Sequence, residues 1–102
     1  PLLYTIVAAY AASLKGGMTM RLRKTIGIDI KTVQYGWPLG MPLVRKMEPG
    51  LWEVRCDIAD GIARVLFTAK GGQMVLLHGF VKKTQKTPDN ELKTARNRLK
   101  KL

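Results

Sequence analysis

The chain has 102 residues, the size of one domain (1–102), and 46% of them are hydrophobic, enough for a core. Eighteen Lys and Arg against seven Asp and Glu leave a formal charge of +11 at pH 7. That balance suits a polyanionic partner such as nucleic acid, an anionic membrane surface or an acidic protein. The single cysteine, Cys56, excludes an internal disulfide and any zinc site built on cysteine pairs, and it fits a reducing cytosol. The longest uncharged run, Leu2 to Leu14, is too short to span a bilayer. The chain is therefore expected to be soluble and cytoplasmic, with no membrane partner.

In chain order, "PLLYTIV" has strand composition and "AAYAASL" after it is helix-friendly. The stretch from Met18 to Gly36 predicts an amphipathic helix. At 100° per residue, Met18, Leu22, Ile26, Ile30 and Val33 share an arc of about 120°, with Lys24 and Lys31 opposite and Gly36 as a stop. "WPLGMP" breaks the chain. From Met41 onward, short apolar runs alternate with the turn pairs Pro49-Gly50, Asp60-Gly61 and Gly71-Gly72. These predict a meander of antiparallel strands over 42–47, 51–58, 62–69 and 73–81. A final helix is expected after Thr87 as N-cap and Pro88 in the first position. Leu92, Ala95, Leu99 and Leu102 form its apolar stripe, and Asp89 and Glu91 sit near its positive end. The fold class is α+β with an antiparallel-dominated sheet.

Register follows from the turns. With Asp60-Gly61 as a two-residue turn, Ala59 pairs with Ile62. Trp52, Val54 and Cys56 then share an apolar face, while Glu53, Arg55 and Asp57 point the other way beside Arg64. With Gly71-Gly72 as the next turn, Arg64 lies opposite Gly79, which leaves open space, and Lys83 falls on the same face at the strand's exit. His78 shares the face of Phe67 and Phe80 and reads as a core histidine. Tyr35, Trp37 and Phe80 could stack on bases, although packing is the plainer use of each.

Three lysines, Lys82, Lys83 and Lys86, crowd the exit of the last strand, and residues 82–102 carry eight basic and two acidic side chains. Solvated surface is the simplest reading of such a run. The arginines at the same end of the sheet favour a phosphate site. RNA cleavage by 2′-hydroxyl attack needs a base, stabilisation of the phosphorane and an acid. Arginine serves only the second task. A lysine of ordinary pKa is only about 0.04% neutral at pH 7, but crowded cations lower that pKa. Glu53 or Asp57 are alternative bases, so acid and base stay open. No paired carboxylates, Ser-His-Asp set or metal-ligand cluster is visible; neither a metal nor a cofactor is expected.

The motifs "GMP", "LWEVR", "ARVLF" and "LLHGFVKKTQKTP", spread over about Leu39 to Lys101, resemble the HigB-like branch of the RelE/ParE toxin superfamily, the group with phage-derived host-inhibition proteins. The resemblance implies a small sheet packed against two N-terminal helices, with a C-terminal helix. It implies a type II toxin that cuts mRNA in the ribosomal A site. The ParE branch instead poisons DNA gyrase, and a non-catalytic RNA-binding module is the other alternative. The implied catalytic positions are Arg55 in "WEVR", Arg64 in "ARV", and Lys82 or Lys83 at the strand exit, with Lys83 and Lys86 as candidates by substitution. A further basic position of the family falls on Glu53, and its last-helix tyrosine has no counterpart here. Lys46, Lys93 and Arg96 are expected to add RNA contacts. The implied partner is a helix-turn-helix, HigA-like antitoxin in a hetero-oligomeric complex, with an acidic segment laid across the basic face.

Overall fold

The computed structural model describes residues 5–7, 20–37, 43–58, 61–82 and 87–102. Its elements are β1 (Thr5–Val7), α1 (Met20–Gly36), β2 (Val44–Glu48), β3 (Leu51–Ile58), β4 (Gly61–Lys70), β5 (Gln73–Lys82) and α2 (Asp89–Leu99). The strands form one mixed sheet in the order β1-β5-β4-β3-β2. The meander is antiparallel throughout, while β1 pairs with β5 in parallel, Ile6 opposite Met74. The class is α+β with an antiparallel-dominated sheet, as expected. Among the described residues one helix precedes the meander, and it follows a strand. The "AAYAASL" stretch lies outside the described residues.

The two helices cover opposite faces of the sheet. On one side α1 presents Ile26, Ile30 and Val33 to Val54, Cys56, Val65 and Phe67, while Lys24 and Lys31 stay exposed. Trp37 closes this core edge-on against Trp52 and Phe67, with ring centroids 5.1 and 5.5 Å away. Trp37 is thus a packing residue. On the other side Ala95, flanked by Leu92 and Leu99, covers Leu51, Leu66, Val75, Leu77 and Phe80. Leu102 is exposed and takes no part in that stripe.

Two registers depart from expectation. Ile58 pairs with Gly61, so residues 59 and 60 make the connection and every β3–β4 pair shifts by two. Parity survives a shift of two, and the apolar face stays intact. Arg55 now lies directly opposite Arg64, and Asp57 opposite Ile62. The Gly71-Gly72 turn forms as expected, both glycines at positive φ, with Lys70 opposite Gln73. Further along, the ladder slips between Phe67↔Leu76 and Leu66↔His78, leaving Leu77 as an extra residue in β5. Such a bulge reverses the alternation beyond it. Phe80, not Gly79, therefore faces Arg64, and the open space expected there is absent. His78 moves to the α2 face, away from Phe67.

Among the described residues, no helix is long and apolar enough to cross a membrane.

Candidate nucleic-acid interface

The most unusual chemistry lies in the layer between the sheet and α2. Glu53 on β3 and Arg64 on β4 are diagonal neighbours, both fully buried, with Arg64 Nη1 2.9 Å from Glu53 Oε1. Thr87, just before α2, completes the group. Its hydroxyl accepts from Arg64 Nη1 at 3.1 Å and donates to the second carboxylate oxygen, Glu53 Oε2. The expected Thr87 cap is thus replaced. Pro88 occupies the N-cap with no side-chain bond, and its carbonyl accepts the amides of Glu91 and Leu92. Neither Arg64 nor Glu53 reaches solvent, so Arg64 does not offer its guanidinium to a phosphate and Glu53 cannot act as a base on bound RNA. The two charges are retained inside because each satisfies the other.

Arg55, opposite Arg64, is half-buried. Its backbone amide donates to the Leu43 carbonyl at 2.9 Å, which ties the entry of β2 onto β3. With Thr25, Asp29, Leu43 and Asp57 it lines an open cavity of about 360 Å³ at the edge of the sheet. Among the described residues, its lining carries one guanidinium and two carboxylates. Cys56 lies beneath it, wholly buried. Burial pushes its thiol pKa far up, and Asp29 and Asp57 add to the rise. It is a packing residue without thiolate character.

At the strand exit, Lys82 takes the register position opposite Ile62, next but one to Arg64. The bulge removes the parity that assigned Lys83 to the Arg64 face. Lys83 and Lys86 lie outside the described residues. The described chain leaves at Lys82, opposite Ile62, and resumes at Thr87, which is bonded to Arg64.

The expected RNA contacts divide. Lys46 on the edge strand and Lys93 on α2 are exposed. Arg96 is held by Glu48, with Nε and Nη2 at 2.8 and 2.9 Å from the two carboxylate oxygens. Those hydrogen bonds, with the nearby positive charge, draw the Glu48 pKa below its ordinary value. A bulge at Met47 turns Glu48 toward α2.

His78 belongs to a second polar group that sequence reasoning missed. Its Nε2 stands 3.1 Å from Glu91 Oε1, and its Nδ1 3.3 Å from Arg98 Nη1, which also donates to the Leu77 carbonyl at 2.8 Å. Arginine only donates, so Nδ1 accepts and Nε2 carries the proton toward Glu91. Phe80 stacks on the imidazole at 5.7 Å. The signal was present in the i, i+7 spacing of Glu91 and Arg98, which puts both on one side of α2. Among the described residues, no group of three or more His, Cys, Asp or Glu side chains is placed to hold a metal ion.

A comparison with curated proteins finds no match. Residues 17–100, α1 to the end of α2 included, match the family described as Phage derived protein Gp49-like (DUF891). The chain belongs to this Gp49-like family, a toxin-like family of the RelE/ParE type.

Proposed function

We propose that the protein is the toxin of a type II toxin–antitoxin system and acts in the cytoplasm as a ribosome-dependent, metal-independent mRNA endonuclease. The observation that carries this reading is the convergence of basic positions at one end of the sheet. Arg55 pairs with Arg64, Lys82 sits on the neighbouring strand, and Thr87 rejoins the sheet at Arg64. The lysine-rich stretch begins on β5 at Lys82 and runs in sequence to Thr87. Its cations, with exposed Lys46 and Lys93, supply the sequence-independent grip on phosphate. Arg55 is the phosphate-facing arginine, and Lys82, Lys83 and Lys86 carry charge stabilisation and proton transfer during 2′-hydroxyl attack. Arg64 acts through position, holding Glu53 and Thr87. The cavity beside Arg55 suits a splayed base, whose amino group donates to Asp29 or Asp57. The partner is a helix-turn-helix antitoxin in a hetero-oligomeric complex.

The test is primer extension on a reporter mRNA in a purified translation system, with and without ribosomes. Breaks phased to codons and dependent on ribosomes are expected, lost in Arg55→Gln and in Lys82→Gln/Lys83→Gln/Lys86→Gln. Intact mRNA from a folded, growth-inhibiting protein would overturn the nuclease reading and direct the search to gyrase.

A further inference from the structure

One face of the molecule is left unexplained by the basic end of the sheet. Helix α1 buries Ile26, Ile30 and Val33, yet its opposite side carries Ile28 and Tyr35 at 65% and 66% exposure. Single exposed apolar residues are common on any surface. These two, however, lie two turns apart in one stripe, with Lys24 and Lys31, both exposed, along the same side. Gly27 borders the stripe at the Lys31 side. A Cβ added there would meet nothing within 4 Å. Glycine inside a helix weakens it relative to alanine, and among the described residues no packing compensates. The helix thus keeps a destabilising residue where space is empty, beside two large apolar side chains and two cations.

We infer that the Lys24–Ile28–Lys31–Tyr35 face of α1 docks an acidic, helical segment of the antitoxin, whose backbone comes close over Gly27. The proposal rests on the toxin–antitoxin reading and adds the surface and its chemistry. Ile28 and Tyr35 are the apolar anchors of a helix-on-helix contact. Lys24 and Lys31 select carboxylates at its rim. A second copy of this chain fits poorly, because pairing the face with itself would set these lysines against one another. The face lies on the side of the sheet opposite the Glu53–Arg64–Thr87 group, so binding here leaves room for a separate segment over the basic end.

The probe is the purified product of the gene adjoining this chain's own, titrated by calorimetry against the full chain and its variants. Wild type should bind. Ile28→Asp should weaken binding about a hundredfold by placing a charge in the apolar contact. Lys24→Glu/Lys31→Glu should weaken it about tenfold and flatten its salt dependence. Gly27→Ala separates the two states: it should raise the thermal midpoint of the chain alone while weakening the complex. All variants should keep wild-type mRNA cleavage when the antitoxin is absent. A wild-type complex that every variant reproduces overturns the docking face and spares the toxin–antitoxin reading, whereas no complex with wild type overturns both. Sedimentation with anionic vesicles that Ile28→Asp abolishes, without effect on the protein complex, would assign the face to a lipid surface instead.

Discussion

Arg64 and Glu53 form an ion pair at 2.9 Å with both side chains inaccessible to water. Two ions in the interior stabilise little beyond what their desolvation costs, yet removing one strands the other. Glu53→Ala or Arg64→Ala should therefore lower unfolding free energy by about 3–5 kcal/mol in urea titrations. The double variant Glu53→Leu/Arg64→Met should recover most of that loss. Single and double variants of equal stability would contradict the pairing. If the stable double variant also cleaves mRNA, the role of Arg64 is positional.

Thr87 both accepts from Arg64 and donates to Glu53. Thr87→Val keeps the shape and deletes the hydroxyl, leaving a buried donor and acceptor each short of one bond. A loss of about 1–3 kcal/mol is expected. Thr87→Ser should retain most of the stability, and equal behaviour of Val and Ser would show the hydroxyl to be idle.

Glu48 and Arg96 link the β2–β3 hairpin to α2 through two hydrogen bonds. The folded-state pKa of Glu48 is depressed from 4.5, so this contribution is present above that value. It is lost as pH falls through the lowered folded pKa. Glu48→Gln should leave a smaller acid-dependent loss of stability in that window and none of the difference should grow toward neutral pH. Because the pair is partly exposed, added salt should shrink the gap between wild type and variant.

Cys56 combines complete burial with a thiol pKa far above its ordinary value. Iodoacetamide should leave the native chain unmodified at pH 8 over hours and alkylate it fully in denaturant, followed by intact-mass spectrometry. Rapid native labelling would contradict the assignment of Cys56 to the core.

Much of the fold was legible because local chemistry dictated it. The 26-30-33 spacing gave the buried side of α1, and Gly71-Gly72 gave a turn only positive φ allows. The bulge at Leu77 left no such mark. In "MVLLH" the strand is covered by α1 on one side and α2 on the other, so apolar residues run on without alternation and an extra residue changes no pattern. That single slip exchanged Gly79 for Phe80 opposite Arg64 and moved His78 to the α2 face. The burial of Arg64 was hidden for another reason. A charged residue on an outer sheet face reads as solvated until the element covering it is placed, and Thr87 comes from far along the chain. The turn-derived register set Asp57, not Glu53, opposite Arg64, so the pair could not be read from the sequence.

The parallel pairing of β1 with β5 also fixes an order of assembly. Ile6 emerges from a translating ribosome well before its partner Met74, and the antiparallel hairpins between them close over short separations. The meander can form while β1 waits, so β1, though synthesised before the meander, joins the sheet after it. Completion of the Glu53–Arg64 pair waits longer still, since Thr87 follows β5. A nascent chain stalled before Thr87 carries Arg64 and Glu53 without the hydroxyl that joins them.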